Sequence, residues 1–191
     1  MHPTGGQNGG MDAPDARSTA RLFLAVWPDA ATRDALAAWR DACRWPPGTR
    51  QVPDAHLHLT LHFLGAVDRG LLDSGALAAA VAMPMTPCGL DFDTSELWSG
   101  HLAVMLPRDV PRALRQLHAS LSARLRDLGL QTEARAWRPH VTLARQATGA
   151  ELAARTLHWQ ADGYALVESG ATGYTVLQRW PAADATSKRT A

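Results

Sequence analysis

The sequence predicts an α+β protein made of two similar halves, with two antiparallel-rich sheets, helices on the outside and a groove between the halves. Three observations support this class. The 191 residues have an ordinary globular composition, 46% apolar and 19% charged. Two strand–helix–strand units of nearly equal length follow each other, and each ends on a His-x-Thr motif. Leu22 precedes His58 by 36 residues and Leu102 precedes His140 by 38, which indicates a duplicated, pseudo-two-fold fold.

The first unit begins with a short apolar run at residues 21–26, which has the length of a strand. Asp29 follows Trp-Pro and is a suitable N-cap for the Ala-rich helix that we predict to about residue 43. A Trp-Pro-Pro-Gly break then separates this helix from a strand at residues 56–64, which Gly65 closes. A second helix is predicted from about residue 69 to 83.

The second unit repeats this order. Residues 101–106 form a strand, and a helix is predicted over 110–128 because leucines recur on one stripe and Gly129 follows. The stripe consists of Leu114, Leu117, Leu121, Leu125 and Leu128. Residues 137–145 form the next strand. Further strands are predicted at residues 90–98, 164–168 and 173–180.

The ends of the chain differ from its middle. Residues 1–19 and 182–191 lack apolar periodicity, so we expect disordered tails around a single bilobal domain at 20–181. The chain has two cysteines without metal-type spacing, no signal peptide pattern and no apolar run near the ~18 residues of a membrane span. A formal charge of +1 gives no global attraction to nucleic acid or membrane. We expect a cytoplasmic monomer with no membrane contact and no obligate protein partner.

The first motif strand sorts its side chains by alternation. One face carries the apolar residues Leu57, Leu59, Leu61 and Phe63, which we predict to be core. The other face carries His56, His58, Thr60 and His62. This face therefore presents three imidazoles and a hydroxyl to one surface.

The second motif strand follows the same rule. Arg138, His140, Thr142 and Ala144 share a face, and Pro139, Val141 and Leu143 lie opposite. If both polar faces line the groove, His58 and His140 confront each other across a substrate. Arg145 is a natural cation for a phosphate, but strict alternation points it away from His140. It reaches the groove only if the strand ends or bulges around Ala144.

Two facing imidazoles suit the hydrolysis of a phosphodiester. Imidazole has an ordinary pKa of about 6.5, so one ring can act as base while the other acts as acid. Thr60 and Thr142 could donate hydrogen bonds to the non-bridging phosphate oxygens. This chemistry requires no metal and no cofactor.

These segments resemble a known family. The stretches 58–65 (HLTLHFLG) and 138–145 (RPHVTLAR) look like the two signatures of the two-histidine phosphoesterase superfamily, and within it most resemble the bacterial RNA 2′,3′-cyclic phosphodiesterase (LigT/ThpR) group. The resemblance extends from about residue 21 to 180. It implies a bilobal fold and metal-independent opening of a cyclic phosphate to a 2′-phosphate, on RNA with a cyclic phosphate end or on a small cyclic nucleotide.

The resemblance also implies roles for single residues. His58 and His140 correspond to the catalytic pair, with His58 as acid toward the 3′-oxygen and His140 as base toward water. Thr60 and Thr142 correspond to phosphate binders, and Arg145 falls where the group has a functional arginine. His56, His62 and Arg138 are not signature positions and are candidate groove residues only.

Several alternatives remain open at this point. His56, His58 and His62 could bind zinc, although no carboxylate lies between residues 55 and 67. The protein could be a non-catalytic nucleotide- or RNA-binding module, or could ligate RNA 2′-5′ through the reverse reaction. His101, His118 and His158 have no motif around them, and we expect them to be incidental. Most tryptophans should be core, with Trp45 and Trp137 least certain, and four arginines of the long helix, at 112, 115, 124 and 126, should form a solvated face.

Overall fold

A computed structural model describes residues 19–99, 101–133 and 135–183. Its strands are β1 (Thr19–Val26), β2 (Arg50–Gln51), β3 (Leu59–Asp68), β4 (Cys88–Trp98), β5 (Leu102–Pro107), β6 (Val141–Arg145), β7 (Leu157–Ala161), β8 (Gly163–Gly170) and β9 (Gly173–Pro181). Its helices are α1 (Ala30–Asp41), α2 (Arg69–Asp73), α3 (Ala76–Ala80) and α4 (Arg112–Asp127). A 3₁₀ turn at Asp54–His56 precedes β3. The predicted α+β class is confirmed.

The strands form one antiparallel sheet in the order β7-β4-β5-β6-β3-β1-β8-β9, with β2 paired to β6. This order is symmetric about the junction of β6 and β3, which are the two motif strands. The halves are joined there through a single residue pair, Leu59 with Val141. We predicted two separate sheets. In the structure the two motif strands pair with each other, and this pairing joins the two halves into one sheet.

The sheet separates a large core from a smaller one. Leu22, Leu24 and Val26 of β1 belong to the main core, together with the buried side chains of α1 and α4. Phe23 and Ala25 point to the opposite face, where they form a second cluster with residues of β8 and β9. The helices therefore cover one face of the sheet and leave the other open for a site.

The two longer helices form where the sequence predicts them. The Asp29 carboxylate accepts a 2.7 Å hydrogen bond from the Thr32 amide and caps α1. In α4 the predicted stripe faces the core, with Leu114, Leu117, Leu121 and Leu125 buried and Leu128 half-buried. The four arginines of α4 are exposed, as predicted.

Three predicted elements differ from the structure. The helix predicted over residues 69–83 is two short helices, because Gly75 between them adopts a left-handed φ of +72°. Both motif strands begin later than predicted, so that His58 and His140 lie just before β3 and β6. Strands β2 and β7 were not predicted.

The predicted tails fall almost wholly on residues 1–18 and 184–191, outside the described ranges, and β1 begins at Thr19. None of the helices in the described part of the chain is long and apolar enough to cross a membrane.

Candidate active site

A cavity of about 860 Å³ lies at the junction of the two halves. Its walls come from β1 and β3 on one side, and from the β4–β5 turn, β6 and the segment before β6 on the other. Every candidate site residue predicted from the sequence lines it, as the list His56, His58, Thr60, His62, Arg138, His140, Thr142 and Arg145 shows. The cavity is where the duplicated motifs meet.

One ring nitrogen of His58 forms a hydrogen bond with the main chain. Its Nδ1–H donates to the main-chain oxygen of His56 at 2.6 Å, which fixes the proton of the neutral ring on Nδ1. Its Nε2 lies 3.1 Å from the hydroxyl of Thr60, which can donate to it. The Nε2 atom therefore carries the lone pair of the neutral ring.

His140 forms the equivalent hydrogen bond with the main chain. Its Nδ1–H donates to the main-chain oxygen of Arg138 at 2.7 Å, again two residues earlier in the chain. The two halves thus orient their histidines in the same way, with Nδ1 hydrogen-bonded to the main chain in each. Thr142, two residues on, is half-buried in the cavity wall, as Thr60 is.

Aromatic rings enclose His58. Phe23 and Trp27 stack on its ring at centroid distances of 4.8 and 5.4 Å, and Tyr174 meets it edge-on at 5.6 Å. Burial against these rings lowers the pKa of His58 to about 4, although the carbonyl of His56 acts in the opposite sense. The charges of His140, His56 and Arg145 contribute to this lowering of the pKa in the same direction as burial. His58 is neutral in the free protein at pH 7.

His140 has a more open setting. Trp98 lies against it with centroids 4.6 Å apart, and the Arg138 guanidinium lies 4.5 Å from the Trp98 ring. Burial lowers the pKa of His140 below its usual value, and the hydrogen bond to the Arg138 carbonyl opposes this shift. The two histidines are therefore related by symmetry but differ in environment.

A bulge in β3 changes the predicted alternation. Thr60 pairs with Ala25 and His62 with Leu24, so Leu61 is an extra residue and both Leu61 and His62 are buried. The ring of His62 turns toward α4, where its Nε2–H donates to the main-chain oxygen of His118 at 3.0 Å. The prediction that His62 shares a face with His58 is wrong. The His62 side chain lines the cavity on the side of α4.

The same bulge turns Phe63 to the cavity. The residue pairs with Phe23, lines the cavity and is 38% exposed. The prediction that Phe63 is core is therefore wrong. Strict alternation failed here because the extra residue at Leu61 inverts the direction of the side chains that follow it, until a second extra residue at Leu64 restores it.

A matching bulge in β6 places Arg145. Thr142 pairs with Val104 and Ala144 with Ala103, so Leu143 is the extra residue. Leu143 and Ala144 are both fully buried, and Arg145 is exposed and lines the cavity. This is the bulge that the sequence required for Arg145 to reach the groove.

Sequence reasoning missed a stack of three rings beside the site. His118 stacks on His62 at 4.1 Å and on Trp137 at 4.2 Å. The Trp137 Nε1–H in turn donates to the main-chain oxygen of Thr60 at 3.1 Å. His118, which we predicted to be incidental, therefore connects α4 to both motif segments. No local pattern marked it, because its partners lie far away in sequence.

The zinc alternative lacks a suitable geometry. Within the described ranges, no group of three or more His, Cys, Asp and Glu side chains is arranged to hold a metal ion. His62 points to α4, and the ring of His56 lies instead against Tyr174, with centroids 4.3 Å apart.

The cavity is strongly cationic. Of its lining residues that the structure describes, five are arginines, at 21, 50, 135, 138 and 145, and one, Glu133, is acidic. Glu133 is paired with Arg135 at 2.7 Å. Within the described part of the chain, no carboxylate lies within 4.0 Å of Arg21, Arg50 or Arg145. Such a cavity attracts an anion.

Comparison with known proteins agrees with this geometry. The model of the 2′-5′ RNA ligase superfamily matches residues 27–171. The RNA 2′,3′-cyclic phosphodiesterase of Escherichia coli K12 is 32% identical over 172 residues, which cover 84% of this chain and 95% of that protein.

Solved structures give the same result. The crystal structure of E. coli LigT complexed with 3′-AMP matches with a TM-score of 0.75 and 28% identity, over 87% of this chain and 99% of that one. The TT0787 protein of Thermus thermophilus matches with a TM-score of 0.69 and 28% identity, over 84% and 97% of the two chains. With its motifs, fold and relatives in agreement, the chain belongs to the 2′-5′ RNA ligase superfamily.

Proposed function

We propose that this protein is a phosphodiesterase that opens the 2′,3′-cyclic phosphate of an RNA end or a nucleotide to a 2′-phosphate, with His58 and His140 as its acid–base pair. The observation that carries the proposal is a pair of imidazoles in one cationic cavity. Each ring is hydrogen-bonded to the main chain through Nδ1, and both rings line the same cavity. The names of the relatives support the substrate class, since one is an RNA 2′,3′-cyclic phosphodiesterase and LigT was crystallised with 3′-AMP.

Binding of the phosphate falls to residues around the pair. The hydroxyls of Thr60 and Thr142 would donate to the two non-bridging oxygens, where charge develops in the transition state. The Arg145 guanidinium, turned inward by the β6 bulge, would supply a cation with a planar pair of donors. These residues need no metal ion to balance the charge of the phosphate.

The bond changes balance as a hydrolysis. A water oxygen attacks phosphorus while the base takes a proton from that water, and the bond from phosphorus to the 3′-oxygen breaks. The acid gives its proton to the leaving 3′-oxygen, so the phosphate stays on the 2′-oxygen. Following the resemblance, we assign His58 as the acid and His140 as the base.

This assignment requires His58 to gain a proton. Its pKa of about 4 keeps it neutral in the free protein, and a bound phosphate anion would favour its imidazolium. In the opposite assignment, His140 would be the acid. A p-nitrophenyl phosphodiester distinguishes the two, because its leaving group needs no protonation. Replacing the acid by alanine should cost much less activity on this ester than on the cyclic phosphate, whereas replacing the base should cost as much on both.

The central test is turnover of a 2′,3′-cyclic nucleotide in EDTA. We expect the wild-type protein to form the 2′-phosphate, and His58→Ala and His140→Ala each to lose at least about 10²-fold in kcat. His158→Ala is the matched control, because His158 lies on β7, outside the cavity lining, with its side chain 61% exposed.

Two results would reject the proposal. One is the absence of any product from the wild-type protein, and the other is undiminished activity in both histidine variants. Binding of the nucleotide by calorimetry without turnover would favour the alternative of a non-catalytic module. Activity lost in EDTA and restored by zinc would favour the metal alternative.

Ligation is the reverse of the same chemistry, with an RNA 5′-hydroxyl in the place of water. The name of the matching superfamily supports it as a second candidate. Water at ~55 M favours hydrolysis unless the RNA ends are held together. The ratio of ligated to hydrolysed product on paired RNA fragments measures the direction.

The proposal includes a monomeric protein of the cytoplasm whose folded domain spans residues 20–181. Sedimentation of the full chain, cell fractionation and limited proteolysis test these three expectations.

A further inference from the structure

We propose that Trp137 is a positioning residue for the reaction, because its side chain fixes the main chain at Thr60 and thereby sets how the two histidine motifs face each other. The inference rests on the proposed function for the roles of His58 and His140. It goes further in assigning a role to a residue that lies outside both His-x-Thr motifs.

The two motif strands pair with each other over a short distance. β3 pairs with β1 along the whole of β1, but it pairs with β6 only through Leu59 and Val141. His58 and His140 each lie one residue before this pair, just outside their strands. One residue pair constrains the spacing of two strands but not their relative twist. Side chains around the junction therefore have to fix the two motifs relative to each other.

Trp137 supplies a hydrogen bond across this junction. Its Nε1–H donates to the main-chain oxygen of Thr60 at 3.1 Å. The donor lies in the segment before β6 and the acceptor lies on β3, so the bond joins the two motif segments beside their single residue pair. Trp137 is half-buried in the cavity wall, where an indole N–H requires a partner. This hydrogen bond is thus a second link between the motifs.

Each end of this hydrogen bond leads to one of the two histidines. At the acceptor end, the hydroxyl of Thr60 lies 3.1 Å from Nε2 of His58. At the donor end, Trp137 precedes Arg138, whose main-chain oxygen accepts the hydrogen bond from Nδ1–H of His140 at 2.7 Å. A displacement of the indole would therefore move the supports of both rings.

A stack of rings fixes the indole in turn. The ring of His118 lies 4.2 Å from that of Trp137 with planes at 11°, and His62 lies 4.1 Å from His118 with planes at 16°. The Nε2–H of His62 donates to the main-chain oxygen of His118 at 3.0 Å. Because the leucine stripe anchors α4 in the main core, the stack determines the plane of the indole and the direction of its N–H.

A second tryptophan makes the same kind of hydrogen bond away from the site. The Nε1–H of Trp39, on α1, donates to the main-chain oxygen of Ala153 at 3.1 Å. Trp39 is 1% exposed, belongs to the main core and lies outside the cavity lining. The two indole hydrogen bonds are equal in length, but only that of Trp137 ends on a residue of the site. Comparing them separates positioning from stability.

Small displacements matter for this chemistry. An acid and a base have to reach opposite sides of one phosphate, and a misplacement of about 1 Å can cost about 10²-fold in rate. The loss of one neutral hydrogen bond is a small fraction of the stability of a domain. We therefore expect the loss of the indole N–H to affect the rate more than the fold.

Trp137→Phe is the first variant, because it keeps an aromatic ring in the stack and removes the N–H. On a 2′,3′-cyclic nucleotide in EDTA, kcat should fall by about 10- to 10²-fold. KM and the Kd of the 2′-phosphate mononucleotide should stay near their wild-type values, since a misplaced acid–base pair is felt mainly in the transition state. Trp39→Phe is the matched control, which should lower the urea midpoint and keep the wild-type kcat.

A second readout does not depend on turnover. A Thr60 hydroxyl that donates to Nε2 favours the neutral ring of His58, so releasing Thr60 should raise the pKa of His58 from about 4 toward its ordinary value of about 6.5. NMR titration of the ring resonances measures this pKa in the free protein. Trp137→Phe should show the rise and Trp39→Phe should not. The other charged groups that act on this pKa are present in both variants, namely His56, His140 and Arg145.

Variants of His118 test the stack separately. His118→Ala removes the ring that lies against the indole, and it should lower kcat as Trp137→Phe does. His118→Phe keeps a flat ring and should recover most of this loss. Because both changes act on the same hydrogen bond, the combined loss in a double variant of His118→Ala and Trp137→Phe should be smaller than the product of the two single losses.

Turnover decides the proposal if the wild-type protein is active. Wild-type kcat in folded Trp137→Phe, or an equal loss of kcat in Trp39→Phe, would overturn it. If Trp137→Phe does not fold, wild-type kcat in His118→Ala would overturn it instead.

The pKa of His58 decides the proposal if the wild-type protein hydrolyses nothing. A rise of this pKa in Trp137→Phe alone would then reject the proposed function and leave the positioning role supported. An unchanged pKa in Trp137→Phe would overturn both.

Discussion

The ring of His118 stacks on the ring of Trp137, with centroids 4.2 Å apart and planes at 11°. His62 stacks on the other side of His118, and Trp137 donates a hydrogen bond to the main chain of Thr60. Since His62 belongs to the first motif strand and Trp137 leads into the second, the His118 side chain connects α4 to both motif segments. The stack therefore links α4 to the segments that carry His58 and His140.

The stack predicts a loss of stability in acid. Burial and the neighbouring His62 lower the pKa of His118 to about 4, below its value of about 6.5 in the unfolded chain. Between these values the unfolded chain binds the additional proton, so the free energy of unfolding falls as the pH drops from 6.5 toward 4. His118→Phe keeps a stacked ring without this proton. Urea midpoints at pH 7.5 and pH 5 should therefore differ less in the variant than in the wild-type protein, and an equal difference would contradict the argument.

The proposed acid–base pair, His58 and His140, predicts an acidic optimum for kcat/KM. The pKa of His58 is about 4 and that of His140 lies below its usual value. At pH 7, therefore, neither of these two rings is protonated in most of the free protein. The reactive form carries one proton on the pair, and it accumulates as the pH falls below 6.5 and is lost once both rings are protonated. A profile of kcat/KM should be bell-shaped with its maximum below pH 6.5. A plateau that extends to pH 9 would not fit this pair.

The hydroxyl of Thr142 should act mainly in the transition state. Thr142→Val keeps the shape of the side chain and removes the donor, so we expect kcat to fall by about 10²- to 10³-fold with little change in KM. Thr142→Ser, which keeps a hydroxyl, should recover most of this loss. If Val and Ser behave alike in steady-state kinetics, Thr142 does not contact the phosphate.

Arg145 should serve as a planar donor as well as a charge. We expect Arg145→Ala to lower kcat/KM by about tenfold or more, and Arg145→Lys to recover only part of this, because an ammonium cannot donate two parallel hydrogen bonds. Arg179→Ala, which removes an arginine from β9 outside the cavity lining, is the control. Wild-type kinetics in Arg145→Ala would show that the β6 bulge does not serve the reaction.

Much of the fold and the centre of the site could be predicted from the sequence, because both follow from short-range rules. The repeated units, the cap at Asp29 and the leucine stripe of α4 depend on local periodicity and capping. The pairing of His58 with Thr60 on one face needs only the alternation of a strand, and both residues line the cavity.

The remaining errors come from long-range structure. Whether a strand carries a bulge depends on its register with the partner strand and on packing. Neither can be read from the sequence of that strand alone. One extra residue at Leu61 therefore reversed our predictions for His62 and Phe63, and the equivalent one at Leu143 brought Arg145 into the cavity. His118 was not predicted because its partners are not local: His62 lies 56 residues earlier in the chain, and Trp137 lies after α4, in the segment before β6.

The most direct test of the account is a double-mutant cycle on His58 and His140, measured as kcat on a 2′,3′-cyclic nucleotide in EDTA. If the two rings act as one acid–base unit, each alanine variant should lose at least about 10²-fold, and the double variant should be no worse than the poorer single variant by more than a small factor. Two losses that multiply would show that the rings act independently. Wild-type activity in either single variant would contradict the account.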